Sequence, residues 1–315
     1  MSDASRRLLV LRLSALGDVI HTIPAVVALR DALPDTRISW AVEAPYRELV
    51  ELVAGVETIP VQMKRWGRAP LASYAEARAA LRDLRKADTA VDFQGLIKSA
   101  ALAWLSGAKT RYGFASGAIR EKPALLFTNR KIPVDPTTHI VEQNLQLGAG
   151  VLGGNLPPTE PTWDRFPVDP EHKLDAFRGA VVLLPGAGKV NKLWPAGHFA
   201  QLAKALAKPV VTLWGPGERH LAEAIGAPMA PPTNLRELAY ALRHAALVIG
   251  GDTGPLHLAA ALGTPVIGLY GPTDPRRNGP YGQLDHCVTA AASTKWMESI
   301  SVEEVMTTAA RVLAE

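Results

Sequence analysis

The chain has 315 residues and a single cysteine, Cys287. No disulfide can form within it, and a metal cage built from thiolates is excluded. Long apolar runs are also missing: no stretch approaches the ~20 residues that a helix needs to cross a bilayer. The start does not read as an export signal, because Met1 to Arg7 is polar and the apolar stretch Leu8 to Leu13 is short and broken by Arg12. Neither sign of charge dominates. The 34 Lys and Arg oppose 30 Asp and Glu, a net charge of +4. That balance suits nucleotides or phosphorylated lipid as partners and is too weak to argue for nucleic acid. These absences together imply a cytoplasmic protein whose membrane contact, if any, is peripheral.

Signatures of several chemistries are absent too. No Gly-x-Gly-x-x-Gly follows the first strand, which counts against a nicotinamide or flavin enzyme. The loop Pro185-Gly-Ala-Gly-Lys-Val-Asn-Lys192 lacks the Gly-Lys-Ser/Thr spacing of a Walker A loop. Neither a His-Glu-x-x-His nor a Gly-x-Ser-x-Gly occurs. No cluster has metal-ligand spacing, so neither a metal nor a cofactor is expected.

What the chain does have is alternation. Near-continuous apolar strands at 7–13, 38–42, 58–61 and 89–93 are separated by helical patterns at 19–33, 45–54, 71–86 and 96–105, with Pro24 forcing a restart in the first. Strands at 181–184, 209–214, 247–249 and 266–270 alternate with helices at 195–207, 235–243 and 255–262, and a last helix at 302–313 fits either half. This order predicts parallel, doubly wound α/β sheets. The proline-rich, aperiodic stretch after 153 reads as a linker. The expected organisation is therefore a Rossmann-like domain over 1–155, a linker over 156–178 and a second Rossmann-like domain over 179–315, the two facing a central cleft. Ligands of such sheets bind outside the carboxyl ends of the strands.

The most informative stretch is Val248-Ile-Gly-Gly-Asp-Thr-Gly-Pro-Leu-His257. A buried strand runs through Gly251-Asp252-Thr253-Gly254 into a helix, with Asp252 or Thr253 placed to cap it and Pro255 in its first turn. Small residues let backbone N–H groups approach a ligand, and the helix start adds positive potential. The turn reads as an anion site, most simply for phosphate. Asp18, on the first βα turn, is placed either as a helix cap or as a general base toward an acceptor hydroxyl. Lys189 and Lys192 are either solvated or set to neutralise a diphosphate leaving group without a metal. Glu218, after Trp214-Gly-Pro-Gly217, is either a helix-start acid or a partner for ribose hydroxyls. Lys64-Arg-Trp-Gly-Arg68 reads as a basic loop, and Arg120-Glu-Lys122 and Asn129-Arg-Lys131 add more positive charge.

Five pieces carry a resemblance: Arg12-Leu-Ser-Ala-Leu-Gly-Asp-Val-Ile-His-Thr-Ile-Pro24, Asp92-Phe-Gln-Gly-Leu-Ile-Lys-Ser99, Lys192-Leu-Trp-Pro195, Asp252-Thr-Gly-Pro-Leu-His257 and Tyr270-Gly-Pro-Thr-Asp-Pro275. In order and spacing the chain resembles the bacterial ADP-heptose:lipopolysaccharide heptosyltransferases, inverting enzymes of the two-domain GT-B fold, and among them the subfamily that adds the first heptose to a Kdo residue of Kdo-lipid A. The resemblance implies that ADP-heptose is the donor, that no metal is required, and that the enzyme works at the cytoplasmic face of the inner membrane. It implies Asp18 as the base and Lys192 as the group meeting the leaving diphosphate. Glu218 would hold the ADP ribose, Asp252 would face the heptose, and Thr253 and Gly254 would bind phosphate, with His257 in the same motif. Gly186, Ala187 and Gly188 would line the donor loop; the last two stand where that subfamily has threonines, so backbone amides would replace hydroxyls. Lys64, Arg65, Arg68, Arg120 and Lys122 would meet the acceptor's anions. A heptosyltransferase with another acceptor, a nucleotide-sugar epimerase on a similar fold and a nucleotide-binding module without turnover are the other readings; product analysis separates them.

Overall fold

The structure, a computed structural model, describes residues 6–154, 174–291 and 293–314. The chain divides into two compact units, Met1–Arg165 and Phe166–Glu315. The expected linker lies outside the described residues as far as 173. Its last residues are described: Leu174 and Phe177 are buried, so the packing of the second unit has begun by that point.

The first unit is built on six parallel strands, β1 (Arg6–Leu11), β2 (Thr36–Glu43), β3 (Val56–Val61), β4 (Thr89–Asp92), β5 (Thr110–Phe114) and β6 (Arg130–Ile132), in the order β3-β2-β1-β4-β5-β6. β1 is central and matches Leu8 to Ile38 on one side and to Thr89 on the other. Among the described residues, seven helices cover the sheet: α1 (Leu16–Ile20), α2 (Ile23–Ala32), α3 (Arg47–Val50), α4 (Met63–Arg68), α5 (Tyr74–Leu84), α6 (Ile97–Leu105) and α7 (Ile140–Leu152). Pro24 stands in the first turn of α2, where its missing N–H costs nothing. α2 buries every residue from Ile23 to Leu29 and packs on α7. On the other layer, Ala80 and Leu84 of α5 and Leu102 and Ala103 of α6 meet Leu9, Leu11, Ala41 and Ile59 of the sheet. At about 1.5–3 kcal/mol for each large aliphatic side chain removed from water, this burial is the main support of the unit.

The second unit has β7 (Val181–Leu184), β8 (Val210–Thr212), β9 (Leu247–Gly251), β10 (Val266–Tyr270) and β11 (Val288–Thr289), all parallel, in the order β11-β10-β9-β7-β8. Its helices are α8 (Ala196–Ala205), α9 (Arg219–Ile225), α10 (Leu235–His244), α11 (Gly254–Ala261), α12 (Pro275–Asn278) and α13 (Val302–Val312). Reciprocal capping boxes open two of them, Asn234 with Glu237 and Ser301 with Glu304. α13 settles the choice left open by the sequence: Val305, Ala309 and Val312 enter the core of this unit beside Phe199, Ile267 and Leu269.

Three local expectations change. The basic stretch Lys64–Arg68, expected as a loop, forms α4, because Met63 and Trp66 find an apolar surface to cover. Thr253 is the N-cap of α11, but its hydroxyl makes no capping bond and the helix starts one residue earlier, at Gly254. β5, β6, α9, α12 and β11 were not expected.

In each unit the chain runs outward from its first strand and then returns to build on the other side. The reversal falls between β1 and β4 in the first and between β7 and β9 in the second. At such switch points the loops after the two strands diverge and leave a crevice. The loops concerned are 12–15 and 93–96, and 185–195 and 252–253.

Gly250 shows how closely β7 and β9 approach. A Cβ there would lie 2.6 Å from Leu184 Cβ and 3.1 Å from the Leu184 carbonyl oxygen. Gly250→Ala should therefore cost about 1–3 kcal/mol by overpacking. Denaturant titration of the second unit's unfolding transition checks this; an unchanged midpoint would show that the strands can part freely.

Candidate active site

The first switch point is organised by a buried arginine. β1 delivers Arg12 into the interior with no exposed surface. Its Nη1 donates to the Phe93 carbonyl oxygen after β4, and its own carbonyl oxygen accepts from Trp40 Nε1 of β2 at 3.1 Å. Its Nη2 lies 2.7 Å from Asp18 Oδ1 in α1. Arg120, from the loop after β5, grips the same carboxylate in bidentate fashion, Nη2 to Oδ1 at 2.8 Å and Nη1 to Oδ2 at 3.0 Å. Burial alone would raise the proton affinity of Asp18. The Arg12 charge and the Arg120 hydrogen bonds outweigh it and hold the carboxyl well below the usual range.

Gln94 closes the crevice floor: its Oε1 accepts from Leu13 N at 2.8 Å and its Nε2 donates to the Ser14 carbonyl oxygen at 3.2 Å. Asp92, the last residue of β4, turns the chain there by accepting from Gln94 N at 2.9 Å and Gly95 N at 3.2 Å. Its burial pushes its pKa up to about 6, against the opposing pull of those bonds and of Arg12.

The basic residues expected to meet an acceptor do not all join this cluster. Lys64, Arg65 and Arg68 lie on α4, where Arg65 pairs with Glu76 at 3.3 Å. Lys64 faces Glu43 at the end of β2, together with Lys98 of α6, which the sequence reading passed over. Lys122 is exposed in the turn that follows Arg120.

The second switch point carries another buried carboxylate. Asp252 follows β9, and its side chain is 7% exposed. Lys192 Nζ lies 2.5 Å from Oδ2, and His257 Nε2, one turn into α11, lies 3.1 Å from Oδ1. Asn278 at the end of α12 donates Nδ2 to both oxygens, at 3.2 and 3.3 Å. Burial would again raise the carboxyl's pKa, and the bonds to His257 and Lys192 reverse this and hold it well below the normal range. Gly251 makes the meeting possible, since a Cβ there would stand 3.0 Å from the Lys192 carbonyl oxygen.

Beside this group, Glu218 folds back so that its Oε2 accepts from Gly215 N at 2.9 Å. The carboxylate rests on Gly186, whose added Cβ would fall 2.1 Å from Oε2. Gly186, Gly215 and Glu218 thus form one corner. Ala187 and Gly188 continue the loop toward solvent, and Thr253 and Gly254 begin α11. Among the described residues, no group of three or more His, Cys, Asp or Glu is arranged to hold a metal ion.

Arg12, Gln94 and Asn278 were given no role from sequence. Arg12 carries a readable signal: a charge at the end of an apolar strand, six residues before a carboxylate. Asn278 has none beyond lying near Asp274.

Each of the two Rossmann-like units holds a carboxylate between cations at its switch point, Asp18 partly exposed and Asp252 with a buried side chain, an arrangement suited to handling anionic substrates. The sequence pattern of glycosyltransferase family 9 (heptosyltransferase) matches residues 77–305. The chain belongs to that family and is a glycosyltransferase, which separates it from the epimerase and the non-catalytic readings. The lipopolysaccharide heptosyltransferase 1 of Escherichia coli K12 is 34% identical to it over 88% of this chain and 91% of its own length. The protein of that name from Pseudomonas aeruginosa is also 34% identical, covering 88% of this chain and 82% of its own. Among solved structures, E. coli heptosyltransferase WaaC with ADP superposes with a TM-score of 0.86 at 30% identity, over 97% of this chain and 99% of that one. The fold is of the GT-B type.

Two outcomes follow from this geometry. Asp92 has a raised folded pKa, so its protonated form favours folding: the contribution is complete below its unfolded value near 3.8 and is lost as pH rises through about 6. Asp92→Asn keeps an oxygen for Gln94 N and Gly95 N without a buried charge. It should gain on the native chain by about 1–3 kcal/mol between pH 4 and pH 8 in thermal or urea unfolding; a constant difference across that range would refute the assignment. Gly186→Ala should leave the fold intact, because only the end of the Glu218 side chain must move, yet weaken ADP binding roughly tenfold if that carboxylate holds the ribose. Calorimetric titration with ADP reads this directly.

Proposed function

We propose that this enzyme is an inverting heptosyltransferase that moves heptose from ADP-heptose to a Kdo residue of Kdo-lipid A, in the inner-core stage of lipopolysaccharide synthesis. It works in the cytoplasm, at the inner membrane surface, without a metal cofactor. The relatives bearing the name lipopolysaccharide heptosyltransferase 1 support the activity, and the solved WaaC complex with ADP supports an ADP-linked donor. Among the described residues no helix is long and apolar enough to cross a membrane, in keeping with surface contact alone.

In this reading the second unit holds the donor. Lys192 and the backbone N–H groups at Thr253 and Gly254 neutralise the diphosphate as it leaves, Glu218 takes the ribose hydroxyls, and Asp252 and His257 face the sugar. Gly186, Ala187 and Gly188 bring backbone close to the phosphates. The first unit holds the acceptor: Arg120, Lys122, Lys64, Arg65 and Arg68 meet its carboxylate and phosphates, and Asp18 takes the proton of the attacking hydroxyl. The observation that carries the mechanism is the bidentate Arg120–Asp18 pair. While two guanidinium groups hold it, Asp18 is a weak base. An acceptor carboxylate that draws Arg120 away removes one of those charges and raises the base's proton affinity at the moment a hydroxyl is present. The base is then competent only with acceptor in place.

The test is Asp18→Asn, which keeps an oxygen for the buried Arg12. kcat should fall by about 10²–10⁴-fold, while ADP-heptose affinity stays within about threefold. Steady-state kinetics with each substrate varied separately, alongside a thermal melt, decide it. Near-normal turnover in a folded Asp18→Asn protein would remove Asp18 from the reaction.

A further inference from the structure

The layer of α4, α5, α6 and the turn at 122–126 carries exposed apolar side chains to which the reaction gives no role. Among the described residues, all the exposed large apolar side chains of the first unit lie in this layer: Leu71, Tyr74, Ile97, Trp104, Leu105 and Leu126. None lies on α2, α3 or α7, which cover the rest of the sheet. Leu71 is 93% exposed and Leu126 84%. Trp104 leans edge-on against Phe127 at 6.4 Å and is still 55% exposed, so the two rings and Leu126 form one ridge. α5 packs beside α6, and α6 beside the 122–126 turn, which makes the surface continuous.

Charge singles out the same segment. Residues 63–131 hold fourteen Lys and Arg against five Asp and Glu, whereas the whole chain is only +4. The remainder of the protein is therefore net negative. One of the five acids, Asp92, is buried, and another, Glu76, pairs with Arg65. Lys109, Arg130 and Lys131 stand exposed beside the ridge.

We infer that this surface docks on an anionic lipid bilayer. Leucines that meet water on nearly all sides gain by entering the acyl boundary, tryptophan and tyrosine favour the interfacial zone, and lysine and arginine at the rim are drawn to anionic headgroups. A protein groove would bury such leucines as well, but it would not ask for a positive excess spread over the whole layer. The inference rests on the acceptor being a lipid, since docking here holds the first unit at the surface where that lipid resides.

The experiment is flotation of the full chain with vesicles of phosphatidylethanolamine and phosphatidylglycerol, and with vesicles of phosphatidylcholine alone. Neither contains acceptor, so the result does not depend on the assignment of the reaction. Binding is expected to the anionic vesicles, to fall steeply with salt, and to be absent on phosphatidylcholine. Leu71→Ser with Leu126→Ser should weaken partitioning about tenfold or more, and Arg130→Glu with Lys131→Glu by a similar factor. All four positions are exposed, and circular dichroism confirms that the variants fold. Both variants should turn over a water-soluble Kdo acceptor at the native rate and slow down only with acceptor embedded in vesicles. Failure with the soluble acceptor in every form of the protein would overturn the reaction instead. The docking surface is overturned by no binding to anionic vesicles, by binding that these substitutions leave unchanged, or by a lipid-free dimer that Leu71→Ser and Leu126→Ser dissolve, which would make the occupant a second copy of the chain.

Discussion

A guanidinium with no access to water must be paired, because an uncompensated charge in the interior costs several kcal/mol. Arg12 is such a group, and the first unit is arranged to meet its demand. The Phe93 carbonyl comes from the end of β4, Trp40 from β2 fixes the Arg12 backbone, and Asp18 arrives on α1. Three strands and a helix are thereby tied at one point. The crevice at the switch point is not merely left over where strand order reverses; it is held to shape by the neutralisation of one charge. Asp18 inherits a fixed position and a low proton affinity from the same contact.

The second unit solves the converse problem. There the buried group is a carboxylate, Asp252, and the partners are Lys192, His257 and Asn278, brought from one loop and two helices. Hydrogen-bonded from several directions, it stays ionised in spite of burial. The glycines at 186 and 251 belong to the same design. Each lets a neighbouring group approach closer than any side chain would permit, Glu218 in one case and the Lys192 backbone in the other.

Much of this architecture can be read from the chain. The unit β9–α11–β10 is legible because apolar β-branched strands flank a short helix that Pro255 opens and Gly263 with Pro265 closes. β5 and β6 are not, since Thr110-Arg-Tyr-Gly-Phe114 and Arg130-Lys-Ile132 carry charges where a buried strand would be apolar; they are edgeward strands whose charges reach solvent or carbonyl groups, as Arg111 does at Phe127 and Ala108. α4 is legible only as a basic run, because a six-residue helix depends on the surface beneath it rather than on its own periodicity. In the candidate site, Asp18 and Asp252 announce themselves as carboxylates on βα turns. Their partners do not: Arg120 is 102 residues from Asp18, and Lys192 is 60 from Asp252. Sequence assigned each of these cations to a substrate, and nothing local says that without one it rests on a carboxylate.

That resting place has a physical consequence for any substrate. A cation already paired in a partly desolvated site does not greet an anion as a free charge; the anion must compete with a carboxylate for it. The exchange is close to balanced when the incoming group is itself a carboxylate or phosphate of matching geometry, since one charge-assisted pair replaces another. A neutral ligand offers no such replacement and leaves the internal pair intact. If substrates bind as proposed, discrimination at both switch points rests on the ligand's charge before its shape. In the first, the exchange also alters the chemistry left behind. Were Arg120 drawn away, Asp18 would still hold Arg12, which it cannot lose without exposing the very charge on which the fold of the unit depends.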